Sequence, residues 1–266
     1  MLKGAYHILI NTQLGQGHGG TVYLAIGPER RTIACKVIKR DRGDSAIFRE
    51  ISILLAVKHP NLIELLDTAQ DELNVYLFFP KYDTSLQDHL ATQILLSDHA
   101  ARRIVWQILD GIRYLHGLGI SHRDIKPDNI LVCTRWSTQN PTICIADLGM
   151  ATYQAHSGAN IYGTVSFMPP EAIASFVDPT LSYEFQVADM WSVGVVAFML
   201  ISGFHPFHSI YLHHTQAKIS AGLLLFQPWL SITSGNYLVA ELCHLDPLYR
   251  ITATLALQHS WFALHI

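Results

Sequence analysis

His122-Arg123-Asp124-Ile125-Lys126-Pro127-Asp128-Asn129 is the stretch whose reading decides the fold. It sets a carboxylate, an ammonium two residues on and an amide five residues on within one short polar segment. Ile120 before it and Ile130-Leu131-Val132 after it predict a loop pinned by buried segments on both sides. An Asp able to take a hydroxyl proton, a Lys and an Asn at these offsets are the parts that phosphoryl transfer from a metal–nucleotide complex needs. The same residue types also cluster in exposed turns between a helix and a strand, so the loop alone leaves both readings open.

Other segments, taken in order, narrow the choice. Leu14-Gly15-Gln16-Gly17-His18-Gly19-Gly20-Thr21-Val22 fits G-x-G-x-x-G-x-V, and glycine lets backbone N–H groups approach phosphate oxygens without a Cβ in the way. A dinucleotide fold would place a helix directly after the last glycine. Here Thr21-Val22-Tyr23-Leu24-Ala25-Ile26 is β-branched and aromatic, which predicts a strand and therefore a hairpin. Thr32–Ile38 is a second strand with Lys36 inside an apolar run, and a buried ammonium needs a partner. Glu50 is the candidate. It lies on a segment where Ile47, Ile51, Leu54 and Leu55 recur at helical spacing, although Arg49 offers it a local alternative. Residues 98–116 carry a longer helical period with Ser97 as N-cap.

These stretches, in this order, resemble the eukaryotic protein kinases, and the Lys of the 122–129 loop is the variant found in Ser/Thr-directed members. Further stretches extend the resemblance over essentially the whole chain: Asp147-Leu148-Gly149, with Leu where Phe is usual; Gly163-Thr164; Pro169-Pro170-Glu171, with Pro169 in place of Ala; Asp189-Met190-Trp191-Ser192-Val193-Gly194 at the start of a buried helix; and Arg250, the expected partner of Glu171. The resemblance implies an α+β, bilobal fold. A small antiparallel-β lobe with one key helix (1–80) would join a larger, mainly helical lobe (83–266) through a hinge at 80–82.

It also implies a site. ATP and Mg2+ would lie between the lobes, lined by Leu14, Gly15, Gly17, Gly20, Val22, Ala34, Lys36, Phe79, Pro80, Tyr82, Leu131 and Asp147. Asp124 would act as base, Lys126 as charge stabiliser, Asn129 and Asp147 as magnesium ligands, and Lys36 held by Glu50 as the contact to the α- and β-phosphates. Phe79 would narrow the back of the pocket and Pro80 would offer only its carbonyl to the adenine. Leu148 keeps an apolar side chain for packing under the Glu50 helix.

Composition agrees with this picture. The 266 residues carry a net charge of −3 and a pI near 6.5, which gives no basic footprint for nucleic acid. The longest apolar run, residues 193–201, is too short for a bilayer and reads as a buried helix. No secretory h-region opens the chain, and Cys35, Cys133, Cys144 and Cys243 lack metal spacing, as expected of reduced thiols in an intracellular protein of the cytoplasm or nucleus. On this reading no accessory domain is expected around the matched stretch, and no autoinhibitory tail is expected after residue 266. The fifteen histidines include His205, His208 and His213-His214, read as surface or helix-end residues, while His122 is read as a ring packed under its loop. Residues 134–142 read as an exposed insertion in which Trp136 could serve as a docking handle.

Regulation and substrate follow from the resemblance alone. Arg123 usually pairs with a phosphate on the segment 147–171, yet the register places Asn160 at that position, so activity is expected not to depend on a phosphate there. Thr152, Tyr153, Ser157 and Tyr162 stay open as modified hydroxyls. Thr164 supports Ser/Thr specificity, and Met168 disfavours proline-directed action. The chain is expected to act as a monomer on protein substrates and to stand nearest the calmodulin-dependent-like and checkpoint-like kinases. A pseudokinase scaffold and a small-molecule phosphotransferase are the competing readings.

Overall fold

Period-two patterning near the N-terminus produces a sheet, and the computed structural model describes residues 6–17, 19–40, 44–92, 96–133, 141–157, 163–222, 224 and 234–263. Strands β1 (His7–Gly17), β2 (Gly20–Ile26), β3 (Thr32–Lys39), β4 (Asp67–Gln70) and β5 (Asn74–Pro80) form one antiparallel sheet in the order β1-β2-β3-β5-β4. The hairpin expected at the glycine run is the β1–β2 turn, where Gly17 faces Gly20. Gly20 has φ 142°, and a Cβ there would collide with the carbonyl oxygen of Val37, so only glycine fits.

Register sorts the side chains onto two faces. Val22 lies opposite Lys36 and Lys36 opposite Leu77, while Leu24, Ala34 and Phe79 form the neighbouring row on the same face. The other face buries Ala25, Ile33, Cys35 and Phe78 in a small core closed by Tyr6, whose ring stacks on Phe78 at 3.9 Å.

Helix α1 (Asp44–Ala56) packs on the first face. Its buried stripe is Ile47, Glu50, Ile53 and Leu54. Leu55, expected inward, is 65% exposed because one further residue turns the side chain about 100° away.

After β5 the chain passes into a small sheet of β6 (Thr84–Ser85), β7 (Ile130–Val132) and β8 (Ile143–Ile145), and then into helices. These are α2 (Leu86–Ala91), α3 (Asp98–Gly117), α4 (Pro170–Val177), α5 (Phe185–Ser202), α6 (Leu212–Ser220), α7 (Ser234–Leu242) and α8 (Ala253–Ala256). Ser97 caps α3 by accepting the Ala100 N–H, as its position predicts. Together the sheet-bearing part and the helical part make the bilobal α+β architecture expected of this sequence.

α5 is longer than its apolar run, so Asp189 lies inside the helix rather than at its start. Among the described residues it is the one helix long and apolar enough to cross a bilayer, and 72% of that window is buried in the protein core. All four cysteines are free, and only Cys133 is not fully buried.

One polar tie joins the two parts, and a second braces the helical part internally. Between α1 and β4, Asn61 donates to Gln107 Oε1 (3.0 Å) and to the Ile143 carbonyl (2.9 Å), while residues 61–63 exchange backbone bonds with Ile145 of β8. At the far end Arg250, its side chain fully buried, donates to both Glu171 oxygens and to the Val187 and His244 carbonyls, with Trp191 beside it at 5.3 Å. Removing one partner of a buried pair strands the other charge. Glu171→Ala should therefore lower unfolding free energy by about 3 kcal/mol in urea titration; a loss under about 1 kcal/mol would mean the carbonyls alone suffice.

Candidate active site

Two clusters of charged residues meet at one end of the β7–β8 pair, where the Ala146 N–H donates to the Asn129 carbonyl at 2.8 Å. The first begins on β3, where Lys36 points from the sheet face toward α1. Its Nζ is 2.7 Å from Glu50 Oε1 and 2.7 Å from Asp147 Oδ1. The second partner was not foreseen in the sequence: Asp147 is 111 residues away and enters through the turn after β8, in a left-handed conformation of φ 58°. Leu148, the residue that departs from the usual tripeptide, is 1% exposed within the core that also holds Ile47, Ile53 and Leu54 of α1. Gly149 leaves room for the carboxylates, since a Cβ there would stand 3.2 Å from both Glu50 Oε2 and Asp147 Oδ1.

Burial works against the charges of Lys36 and Asp147, yet attraction prevails. Burial pulls the Lys36 pKa down, but Glu50 and Asp147 carry it above its ordinary 10.5. Burial pushes the Asp147 pKa up, but Lys36, by charge and hydrogen bond, brings it below 3.8. The glycine hairpin leans on the same pair. A Cβ at Gly19 would lie 2.5 Å from Lys36 Nζ and 3.5 Å from Asp147 Oδ1.

The second cluster is the 122–129 loop. Thr164 Oγ1 donates to Asp124 Oδ1 (2.9 Å) and accepts from Lys126 Nζ (2.8 Å), which also lies 2.9 Å from Asp124 Oδ2. Asn129 Nδ2 donates to the Asp124 carbonyl (2.7 Å) and to its Oδ2 (3.0 Å). The carboxylate is thus gripped by three residues that follow it, two from its own loop and one from 40 positions on.

Below the loop, Asp189 of α5 is 1% exposed and accepts the N–H groups of His122 (2.8 Å) and Arg123 (2.7 Å), with His116 Nε2 at 3.0 Å. A lone Asp in so apolar a helix was the signal in the sequence for this support. His122 is fully buried; its Nε2 is 3.1 Å from the Ala146 carbonyl and its Nδ1 accepts the Asp124 N–H at 3.3 Å. Both ring nitrogens are engaged, which leaves none to act as a base.

The remaining expected positions fall around these clusters. Gly15 pairs with Val22, Ala34 with Phe79, and Leu131 with Cys144. Ala34, Tyr82 and Leu131 are partly buried against the core, Pro80 ends β5, and Leu14 is 44% exposed on β1. Two expected modification sites change character. Thr152 and Ser157 are buried, and their hydroxyls accept the Gln154 and Tyr183 N–H groups at 3.1 and 3.0 Å, so burial closes them to modifying enzymes; Tyr153 stays exposed. Asn160, Tyr162 and Trp136 lie outside the described residues. His205, expected at the surface, has its ring edge-on to Phe167 at 4.9 Å, and burial holds its pKa down near 4.

The protein kinase domain model matches residues 8–262. The chain belongs to that family. CBL-interacting protein kinase 1 of Oryza sativa subsp. japonica is 31% identical over 98% of this chain and 56% of its own length. Calcium/calmodulin-dependent protein kinase type IV of Mus musculus is 31% identical over 95% of this chain and 54% of its own length. CBL-interacting protein kinase 5 of Oryza sativa subsp. japonica is 30% identical over 95% and 55%. The chain thus spans about half the length of the curated relatives it matches.

The electrostatics of the Lys36 cluster predict how its loss varies with pH. In the wild type, Asp147 titrates below its unfolded value, so its stabilisation is present above pH 3.8 and is lost as pH falls through the lower folded value. Lys36 stabilises below pH 10.5 and ceases to as pH climbs through its raised value. In Lys36→Met Asp147 loses the charge and hydrogen bond that chiefly offset its burial and keeps only the weaker pull of His122 and the Gly149 N–H, so its pKa rises and ionising it favours folding less. The Lys36→Met penalty should therefore be larger at about pH 7 than at about pH 4.5 in denaturant titrations. Equal penalties at the two pH values would contradict the account.

Proposed function

We propose that this chain is an ATP-dependent protein kinase domain that moves the γ-phosphoryl group to Ser or Thr hydroxyls of protein substrates. The observation that carries the reading is the Asp124–Thr164–Lys126 triangle. It joins the proton-accepting loop to the segment that would receive a substrate, which a nucleotide-binding scaffold without transfer has no need to build. The Ser/Thr kinase names of the relatives support the same choice.

The residues present suit the nucleotide and its ion. Asn129 uses its amide N–H on Asp124 and keeps an oxygen; Asp147 uses Oδ1 on Lys36 and keeps Oδ2. Two oxygen donors from separate loops match a hard cation completed by phosphate and water. Among the described residues no three His, Cys, Asp or Glu side chains form a metal cage of their own. Mg2+, when bound, neutralises charge on the phosphates. Lys36 serves the α- and β-phosphates, held by Glu50. The face bearing Val22, Ala34 and Phe79 covers the adenine with Leu131 opposite, and the 80–82 segment bonds its edge. Asp124 Oδ2 takes the substrate proton while Lys126 offsets charge on the moving group.

Asp124→Asn tests this directly, with ATP–Mg2+ and a generic basic protein as substrate. The transfer rate should fall by about 10²–10⁴-fold while nucleotide affinity stays near wild type. Nucleotide binding with no transfer in the wild type would favour the scaffold reading instead.

A further inference from the structure

We propose that Phe185 is a positioning residue that holds Arg123, and through it the Asp124 loop, in working form without a phosphate on the segment 147–171. The proposal rests on the kinase reading above and goes beyond it by naming what stands in the place of that modification.

Arg123 has φ 69°, an uncommon conformation for a residue with a Cβ, so its surroundings must hold it there. Its Nε donates to the Met150 carbonyl at 2.6 Å, and its guanidinium carbon lies 4.7 Å from the centre of the Phe185 ring. The ring is 2% exposed and is itself fixed edge-on by Tyr183 at 5.4 Å and 87°. A desolvated aromatic face attracts a guanidinium strongly. It supplies without formal charge part of what an anion would supply with it.

The backbone of the same residues secures the segment that follows Asp147. Phe185 N–H donates to the Ala155 carbonyl (2.8 Å), Ser157 N–H to the Tyr183 carbonyl (2.9 Å), and Tyr183 N–H to Ser157 Oγ (3.0 Å), with His156 and Glu184 bridged antiparallel. Residues 155–157 and 183–185 thus run as a short two-stranded ladder. Phe185 belongs to that ladder through its main chain and to Arg123 through its ring. Asn160, which cannot carry a phosphate, and the buried hydroxyls of Thr152 and Ser157 remove three places where an anion could be added.

Phe185→Leu keeps an apolar group in the core and removes the ring face. Steady-state transfer should show kcat reduced about tenfold with the ATP KM within about twofold. Phe185→Tyr should restore kcat, and Phe185→Leu should cost little in a background of Arg123→Leu, where the ring contact is already gone. Phosphatase treatment should leave wild-type activity unchanged. Hydrogen exchange of the peptide covering residues 120–129 reads the clamp independently of transfer, and should quicken in Phe185→Leu and return to wild type in Phe185→Tyr. A wild type that transfers nothing would sink the kinase reading, and the exchange data would still judge the clamp. Unchanged exchange in Phe185→Leu, equal losses in the Leu and Tyr variants, fully additive losses with Arg123→Leu, or collapse of wild-type activity on phosphatase treatment would each overturn the proposal.

Discussion

Asp189 is a carboxylate in the interior of the most apolar helix of the protein, a placement that costs several kcal/mol unless hydrogen bonds replace the lost water. Its three donors come from the end of α3 and from the loop at 122–123. Because Trp191 and Phe198 of α5 are fully buried in the core, with Trp191 stacked on Phe207, whatever Asp189 binds is locked too. The left-handed backbone of Arg123, worth about 1–3 kcal/mol of strain, persists because the carboxylate on one side and the Phe185 ring on the other leave it no alternative. Asp124 therefore takes its position from a helix it does not belong to.

The Lys36 cluster obeys a related constraint with a different solution. Here three elements, β3, α1 and the turn after β8, each bring one charge that none could bury alone. Glu50 lies on the buried stripe of α1, so rotating the helix outward would strand Lys36 with one partner and expose Leu148. The site is consequently assembled only when the sheet, the helix and the turn are in register together.

Legibility divided along the length scale of the interactions. The 122–129 loop, the glycine hairpin and the α3 helix were readable because their residues act within a few positions of one another, and Lys36 with Glu50 because an ammonium inside an apolar strand demands a partner. The contact from Asp147 to Lys36, the amides on Asp189 and the ring over Arg123 span tens of residues or more, and local pattern carries no record of such neighbours. Thr152 and Ser157 looked like free hydroxyls for the same reason: the segment's polarity says nothing of the bridge to Ser121 that holds the first or of the ladder that holds the second. Leu55 was misassigned because an apolar residue at the edge of a helical stripe can turn to either side.

The Asn61 tie gives the molecule a fulcrum. Residues 61–63 belong by sequence to the sheet-bearing part, yet they are bonded to Gln107, Ile143 and Ile145 of the other part. Any rocking of the sheet must swing about that point like a lever on its pivot. The Asn61 amide and two backbone bonds thereby make a hinge point of the residues between the helix that carries Glu50 and the strand after it, and sliding one part over the other would break buried hydrogen bonds.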